Sequence, residues 1–241
     1  MTKKEKKTKK NRDKKQPPAP KNGELVVFLH GILLSGKSMN RLRGHLDHNG
    51  YDVVKIDYPS TRHTLEELTG HLHESFSLSD RFNKASRVHF VTHSMGGVLM
   101  RYYLHKHRPA NLGHVIMMGT PNHGSEMVDY LMSKKRLRNI FNSLFGPAGA
   151  QLATTYKHLE KEKIDYSVGV IAGSRSINPV SRWVLERPND GVVPVSRTKL
   201  DGMADHIVIR VDHNLMPLNP TVMRQTLHFL KNGKFDRTPA P

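Results

Sequence analysis

Thr92-His93-Ser94-Met95-Gly96-Gly97 is the stretch that decides the fold. Ahead of it runs the apolar segment Val88-His89-Phe90-Val91; behind it Val98, Leu99, Tyr102 and Tyr103 recur three or four apart, the spacing of one helical face. Ser94 therefore stands on a tight turn between a strand and a helix. Such a turn needs small neighbours, because side chains two positions away collide with the opposing backbone. Gly96 meets that demand on one side. On the other, Thr92 stands where a glycine is usual, keeping the bulk small while adding a β-branch.

Outward from the turn, short apolar runs alternate with helical patterns. The runs are Leu25 to Leu29, Val53 to Ile56, Val88 to Val91, His114 to Met118, Val168 to Ala172 and Ile207 to Val211. Helical spacing fills 64–82 (Leu65, Leu68, Leu72, Phe76), 95–107 and 219–231, the last opening on Asn219-Pro220, a good helix start. This alternation predicts an α/β fold, a mostly parallel sheet of about six strands with helices on both faces. The interval 119–167 is longer than one crossover helix needs. Within it Leu137, Ile140, Phe141, Leu144 and Phe145 form an apolar stripe on a stretch containing Lys134, Lys135, Arg136 and Arg138. Residues 125–165 are thus expected as an insertion, read either as a lid or membrane-facing helix over the site or as a helix packed on the sheet.

A chain of 241 residues suits one hydrophobic core. Residues 1–21 hold ten Lys or Arg and two acids, a net +8 that leaves +9 of the total +17 to the remainder. The expected organisation is a disordered polybasic tail (1–22), one domain (23–233) and a flexible C-terminal tail (234–241). The basic tail is a means of meeting an anionic membrane by charge alone, or simply a solubilising leader. No aromatic-basic recognition motif accompanies it, so specific nucleic-acid binding is not expected. The charges lead into Gln16-Pro17-Pro18-Ala19-Pro20 and not into the apolar run of a signal peptide, and no stretch is apolar for the length of a membrane span. Without cysteine there is no disulfide, thiol nucleophile or thiolate metal site. The expected location is cytoplasmic, with peripheral attachment at the inner membrane surface through the tail; the oligomeric state is not legible.

A serine nucleophile needs donors for the oxyanion, a base and an acid. Met95 supplies one backbone N–H. The second is assigned to Ile32, because His30-Gly31-Ile32 follows the first strand and loops of neighbouring strands meet where the chain reverses direction across a sheet. Base and acid must come from the carboxyl ends of later strands, the edge that presents Ser94. Of sixteen histidines, His213 directly follows the last strand, whereas His206 lies at its wrong end; His213 is taken as base. In Asn189-Asp190-Gly191 a glycine permits a sharp turn beside a carboxylate, so Asp190 is taken as acid, an Asx-turn being the bland alternative. Asp212 points away from its neighbour His213, as adjacent extended residues do. His30 is expected to be structural first. No metal-ligand cluster or cofactor motif is visible, and neither is expected.

With these residues in hand, the chain resembles the bacterial lipase and esterase branch of the α/β-hydrolase superfamily over roughly residues 24–232. The resemblance rests on the elbow, His30-Gly31, Asp190-Gly191 and the order serine, aspartate, histidine. The segment Gly119-Thr120-Pro121-Asn122-His123-Gly124-Ser125 is similar to a loop near the site in such lipases, which makes Asn122 and His123, with His30 and His93, candidates for contact with substrate. The resemblance implies cleavage of carboxylic esters, lipid-like in the acyl group, through an acyl-enzyme. Met95, Met117, Met118, Met127 and Met216 fall near the expected edge, where thioethers suit an adaptable apolar pocket. The alternatives are acyl transfer or phospholipid cleavage at the same site, and a catalytically silent fold used for binding.

Overall fold

The computed structural model describes residues 21–156 and 163–238; the expected basic tail as far as residue 20, the stretch 157–162 of the insertion and residues 239–241 lie outside them. Six strands, β1 (Glu24–Leu29), β2 (Asp52–Ile56), β3 (Arg87–His93), β4 (Leu112–Met118), β5 (Val168–Gly173) and β6 (Asp205–Ile209), form one sheet in the order β2-β1-β3-β4-β5-β6. Every pairing is parallel. The α-helices among the described residues are α1 (Asn40–His48), α2 (Leu65–Ser77), α3 (Asp80–Lys84), α4 (Met95–Lys106), α5 (Glu126–Ser133), α6 (Lys135–Ala150), α7 (Ser181–Val184), α8 (Val195–Thr198) and α9 (Pro220–Asn232), with short 3-10 turns at Gly36–Met39 and His213–Leu218. None of them is long and apolar enough to cross a membrane.

Successive residues of a strand face opposite sides, and β1 divides its apolar residues accordingly. Leu25 and Val27 join Leu68, Leu72, Phe76, Leu99 and Tyr103 in the core beneath α2 and α4. Val26 and Phe28 join Leu42, Leu46, Val222 and Phe229 in the core beneath α1 and α9. The two cores follow from the chain's reversal at β1. β2 is added on one side of it and β3 on the other, so right-handed crossovers place α1 on one face and α2 and α4 on the opposite one. At that reversal the last residues of β1 and β3 lie side by side, Leu29 opposite Thr92, and their loops diverge to leave a crevice.

Local chemistry sets the helix ends. Thr64 and Glu67 cap α2 reciprocally, each side chain accepting the other's backbone N–H, which satisfies amides that a first turn leaves open. The Asn219 side chain accepts from Thr221 and Val222, Pro220 opens α9, and Gly233 closes it in the left-handed conformation.

The expected flexible tail from 234 is corrected by the structure. Phe235 is buried, its N–H donates to the Asp205 carboxylate (2.8 Å), and Arg237 pairs with that carboxylate. Gln225 and Asp236 exchange two further hydrogen bonds. A single aromatic anchor within a polar segment outweighs its composition.

α4 begins so near β1 that a Cβ on Gly96 would stand 2.7 Å from the carbonyl oxygens of both Leu29 and His30. Backbone cannot yield as a side-chain tip can. Gly96→Ala is expected to lower unfolding free energy in urea by about 1–3 kcal/mol, the cost of overpacking, read as a lower midpoint at unchanged m-value.

Candidate active site

Ser94 sits between β3 and α4 with φ 54° and ψ −126°, a conformation that costs an L-residue roughly 1–3 kcal/mol. Neighbouring strands hold it there. Its N–H donates to the Met118 carbonyl of β4 (2.9 Å), and its own carbonyl accepts from Gly97 (3.0 Å). The β-branched Thr92 is accommodated because its buried hydroxyl donates to the Ile116 carbonyl (3.1 Å).

His213 and Asp190 converge on this turn. His213 Nε2 lies 3.0 Å from Ser94 Oγ, and its Nδ1 lies 2.8 Å from Asp190 Oδ2. Asp190 Oδ1 accepts the N–H groups of Val192 (3.0 Å) and Val193 (2.7 Å), and its carbonyl accepts the His213 N–H (3.0 Å). All three residues are buried. With Nδ1–H given to the carboxylate, Nε2 is free to accept the serine proton. Burial opposes an imidazolium at His213, but the charge and hydrogen bond of Asp190, with the charge of Asp212, outweigh it and hold the pKa above the ordinary 6.5. The Asp212 carboxylate accepts from Ile177 and Asn214 and leaves His213 Nδ1 to Asp190.

A family model described as the alpha/beta hydrolase fold matches residues 24–163. The chain belongs to that family. Comparison with curated proteins finds no match. Among solved structures, the mature lipase BlEst2 of Bacillus licheniformis is similar at TM-score 0.65 and 20% identity, over 89% of this chain and 91% of that one. The lipase of Staphylococcus hyicus is similar at TM-score 0.62 and 16% identity, over 83% and 90%. The RedJ thioesterase of the prodiginine pathway in Streptomyces coelicolor is similar at TM-score 0.60 and 15% identity, over 92% and 91%.

In this α/β hydrolase the remaining expected residues separate into two groups. The Gly31–Leu34 turn, closed by the Leu34 N–H on the Gly31 carbonyl (3.2 Å), abuts the elbow: a Cβ on Gly31 would stand 3.1 Å from Ser94 Cβ. Ile32 lies within it and lines the cavity over Ser94. Met95 opens α4, where a backbone N–H has no partner inside its own helix. His93 also lines the cavity.

Of the other candidates for contact with substrate, His30, Asn122 and His123 do not line it. The buried His30 ring stacks on Tyr58 (4.2 Å), and the Tyr58 hydroxyl donates to the His30 carbonyl, so the pair braces the loop from behind. Asn122 donates to the Thr198 carbonyl (2.8 Å) and accepts Arg101 on its own carbonyl (3.0 Å). His123 is bound through its main chain to Arg197. These loop residues are spent on holding the loop.

The cavity measures about 330 Å³ and is walled by Ile32, Val128, Leu131, Phe141, Phe145 and Leu152. α5 and α6 supply most of this wall, and Phe141 and Ala148 of α6 also belong to the buried cluster on the α2 and α4 side of the sheet. Its apolar stripe divides: Phe141 and Phe145 stack (4.5 Å) toward the cavity, while Ile140 (57% exposed) and Leu144 (52%) face out. Of the five methionines only Met127 lines the cavity; Met95, Met117, Met118 and Met216 are fully buried core.

Gly119 escaped the sequence reading. At φ 57°, a Cβ there would stand 3.0 Å from His213 Nδ1 and 3.1 Å from Asp190 Oδ2, so only glycine lets the loop after β4 pass beneath that hydrogen bond. The signal lay in its place directly after an apolar strand.

His93 has a further structural role. Its Nε2–H donates to the His213 carbonyl (3.0 Å), and its buried Nδ1 has no hydrogen-bond partner. Burial, reinforced by neighbouring His213, pushes its pKa down to about 3. Below pH 6.5 the unfolded chain therefore takes a proton that the folded one refuses, and stability falls with pH until about 3. At pH 5 this proton costs about 2 kcal/mol at 1.36 kcal/mol per pH unit. The urea unfolding free energy should drop between pH 7.5 and 5 by that much more in wild type than in His93→Gln, which keeps a donor for the carbonyl.

Proposed function

We propose that the protein hydrolyses carboxylic esters with an apolar acyl group, through a covalent acyl-enzyme on Ser94. The observation that carries this reading is the chain of contacts from Ser94 Oγ through His213 to Asp190 at 3.0 and 2.8 Å, opening on an apolar cavity. His213 Nε2 takes the serine proton as Oγ attacks the ester carbonyl, and Asp190 stabilises the imidazolium and holds the tautomer. The N–H groups of Ile32 and Met95 receive the oxyanion. The imidazolium then protonates the departing alcohol, and a water activated by the same histidine releases the acid. No step requires a metal or cofactor. Phe141, Phe145 and Leu131 give a hydrocarbon chain a desolvated wall, and the similarity in fold to lipases supports an acyl substrate.

A fluorophosphonate probe should label the wild-type protein on Ser94 and leave Ser94→Ala unlabelled. Ester turnover should vanish with the label; labelling or turnover that persists in Ser94→Ala would falsify the assignment. Asp190→Asn, which keeps the shape but lets the imidazole turn to the wrong tautomer, is expected to lower kcat by roughly 10³–10⁴.

His213 acts as base only when unprotonated. kcat/KM for a soluble ester should accordingly rise with pH through a limb centred above 6.5, because Asp190 and Asp212 favour the imidazolium. In Asp190→Asn, burial is left to act with less opposition and the residual limb should move to lower pH. A limb unmoved by that substitution would reassign the titrating group.

A further inference from the structure

The loops after β5 and β6 carry apolar side chains that the fold leaves in water. Trp183, the only tryptophan of the chain, lies in α7 and is 90% exposed. Ile177 is 66% exposed, and Val180 lies between the two in sequence, also exposed. Leu215 and Leu218, from the segment 213–218 after β6, are exposed as well and share with Ile177 a surface depression of about 300 Å³.

The charge around these groups is predominantly positive. Arg175 and Arg210 line the same depression, and Arg182 and Arg187 line the neighbouring one. Between 174 and 189 the sole acid is Glu186, whose carboxylate accepts the Ser196 hydroxyl (2.6 Å). Asp212, at the depression, is buried and accepts backbone amides.

The loop is held in place. The Ile177 N–H donates to Asp212 (3.2 Å), the Asn178 amide donates to the Gly191 carbonyl (3.2 Å), and the Ser176 and Ser181 hydroxyls bond to each other (2.7 Å). Its exposed side chains are thus presented by an anchored backbone.

We propose that this face docks on an anionic phospholipid bilayer. An indole and aliphatic side chains standing among arginines suit the headgroup boundary, where the rings sit between water and hydrocarbon and guanidinium groups pair with lipid phosphate. Trp183 and Val180 line neither depression and project into solvent, a shape that inserts into a fluid surface. The location favours delivery to Ser94. Both loops leave the carboxyl ends of their strands, the edge that carries the elbow, and Asn214 of the segment 213–218 lines the Ser94 cavity beside the exposed Leu33 and Leu34. The docking itself does not rest on ester hydrolysis, since it is read without turnover.

The sole tryptophan makes the test local. The full chain is mixed with vesicles of phosphatidylglycerol and phosphatidylcholine, and with vesicles of phosphatidylcholine alone. Trp183 emission should shift to the blue with the anionic vesicles only, be quenched by lipids brominated on the acyl chain, and revert in high salt. Arg182→Gln with Arg187→Gln should weaken co-sedimentation about 25-fold, at about fivefold per arginine near an anionic surface, with turnover of a soluble ester unchanged. The proposal is overturned if emission stays water-like while the chain co-sediments, which would assign binding to the basic residues 1–21. It is equally overturned if neither vesicle binds, or if the double variant binds as wild type. Loss of soluble-ester turnover in Ser94→Ala reads the hydrolase assignment independently.

Discussion

A serine held at φ 54° is the point at which three strands and a helix are packed tightly together. Gly96 places the start of α4 against the Leu29 and His30 carbonyls, and Gly31 places the loop after β1 against Ser94 itself. The Ser94 N–H is bonded to β4. The strain is therefore borne by the three central strands, where parallel pairing buries the sheet on both faces. The rest of the site is assembled around this fixed point: the Ile32 and Met95 amides proposed to receive an oxyanion, the passage at Gly119, and the approach of His213.

Two buried imidazoles stand beside the serine, their ring centroids 4.9 Å apart, and their proton affinities diverge. His213 faces Asp190, and the carboxylate outweighs the cost of burial. His93 donates to a carbonyl, has no partner for its other nitrogen, and stays neutral. Pairs of titratable groups whose surroundings separate their pKa values distinguish a group suited to proton transfer from one suited to holding geometry. Here the direct hydrogen bond with Asp190, together with the charge of Asp212, makes the difference.

Much of this was legible in the sequence because it depends on short-range pattern. Apolar runs and helical spacing located all six strands, and the requirement of a shared sheet edge selected Asp190 and His213 from many acids and histidines. What stayed illegible depends on chain segments that meet only in three dimensions. Asn122 and His123 lie in the expected loop, but their hydrogen bonds run to α8, far along the chain. The stripe on α6 was visible, yet no spacing rule says that Phe141 turns inward while Ile140 faces water. The core methionines differ from Met127 only in the direction of the backbone that carries them. Gly119 is silent for another reason: its importance lies in the side chain it lacks.

The docking of Phe235 and Arg237 at the start of β6 bears on how this sheet is closed. β6 is an edge strand, and an edge offers unpaired N–H and C=O groups to any other extended chain. Arg237 bonds both the Asp205 carboxylate and the His206 carbonyl, so the last described residues occupy part of that edge with a charged side chain. Residues 235–237 thereby keep part of that edge from pairing with another extended chain.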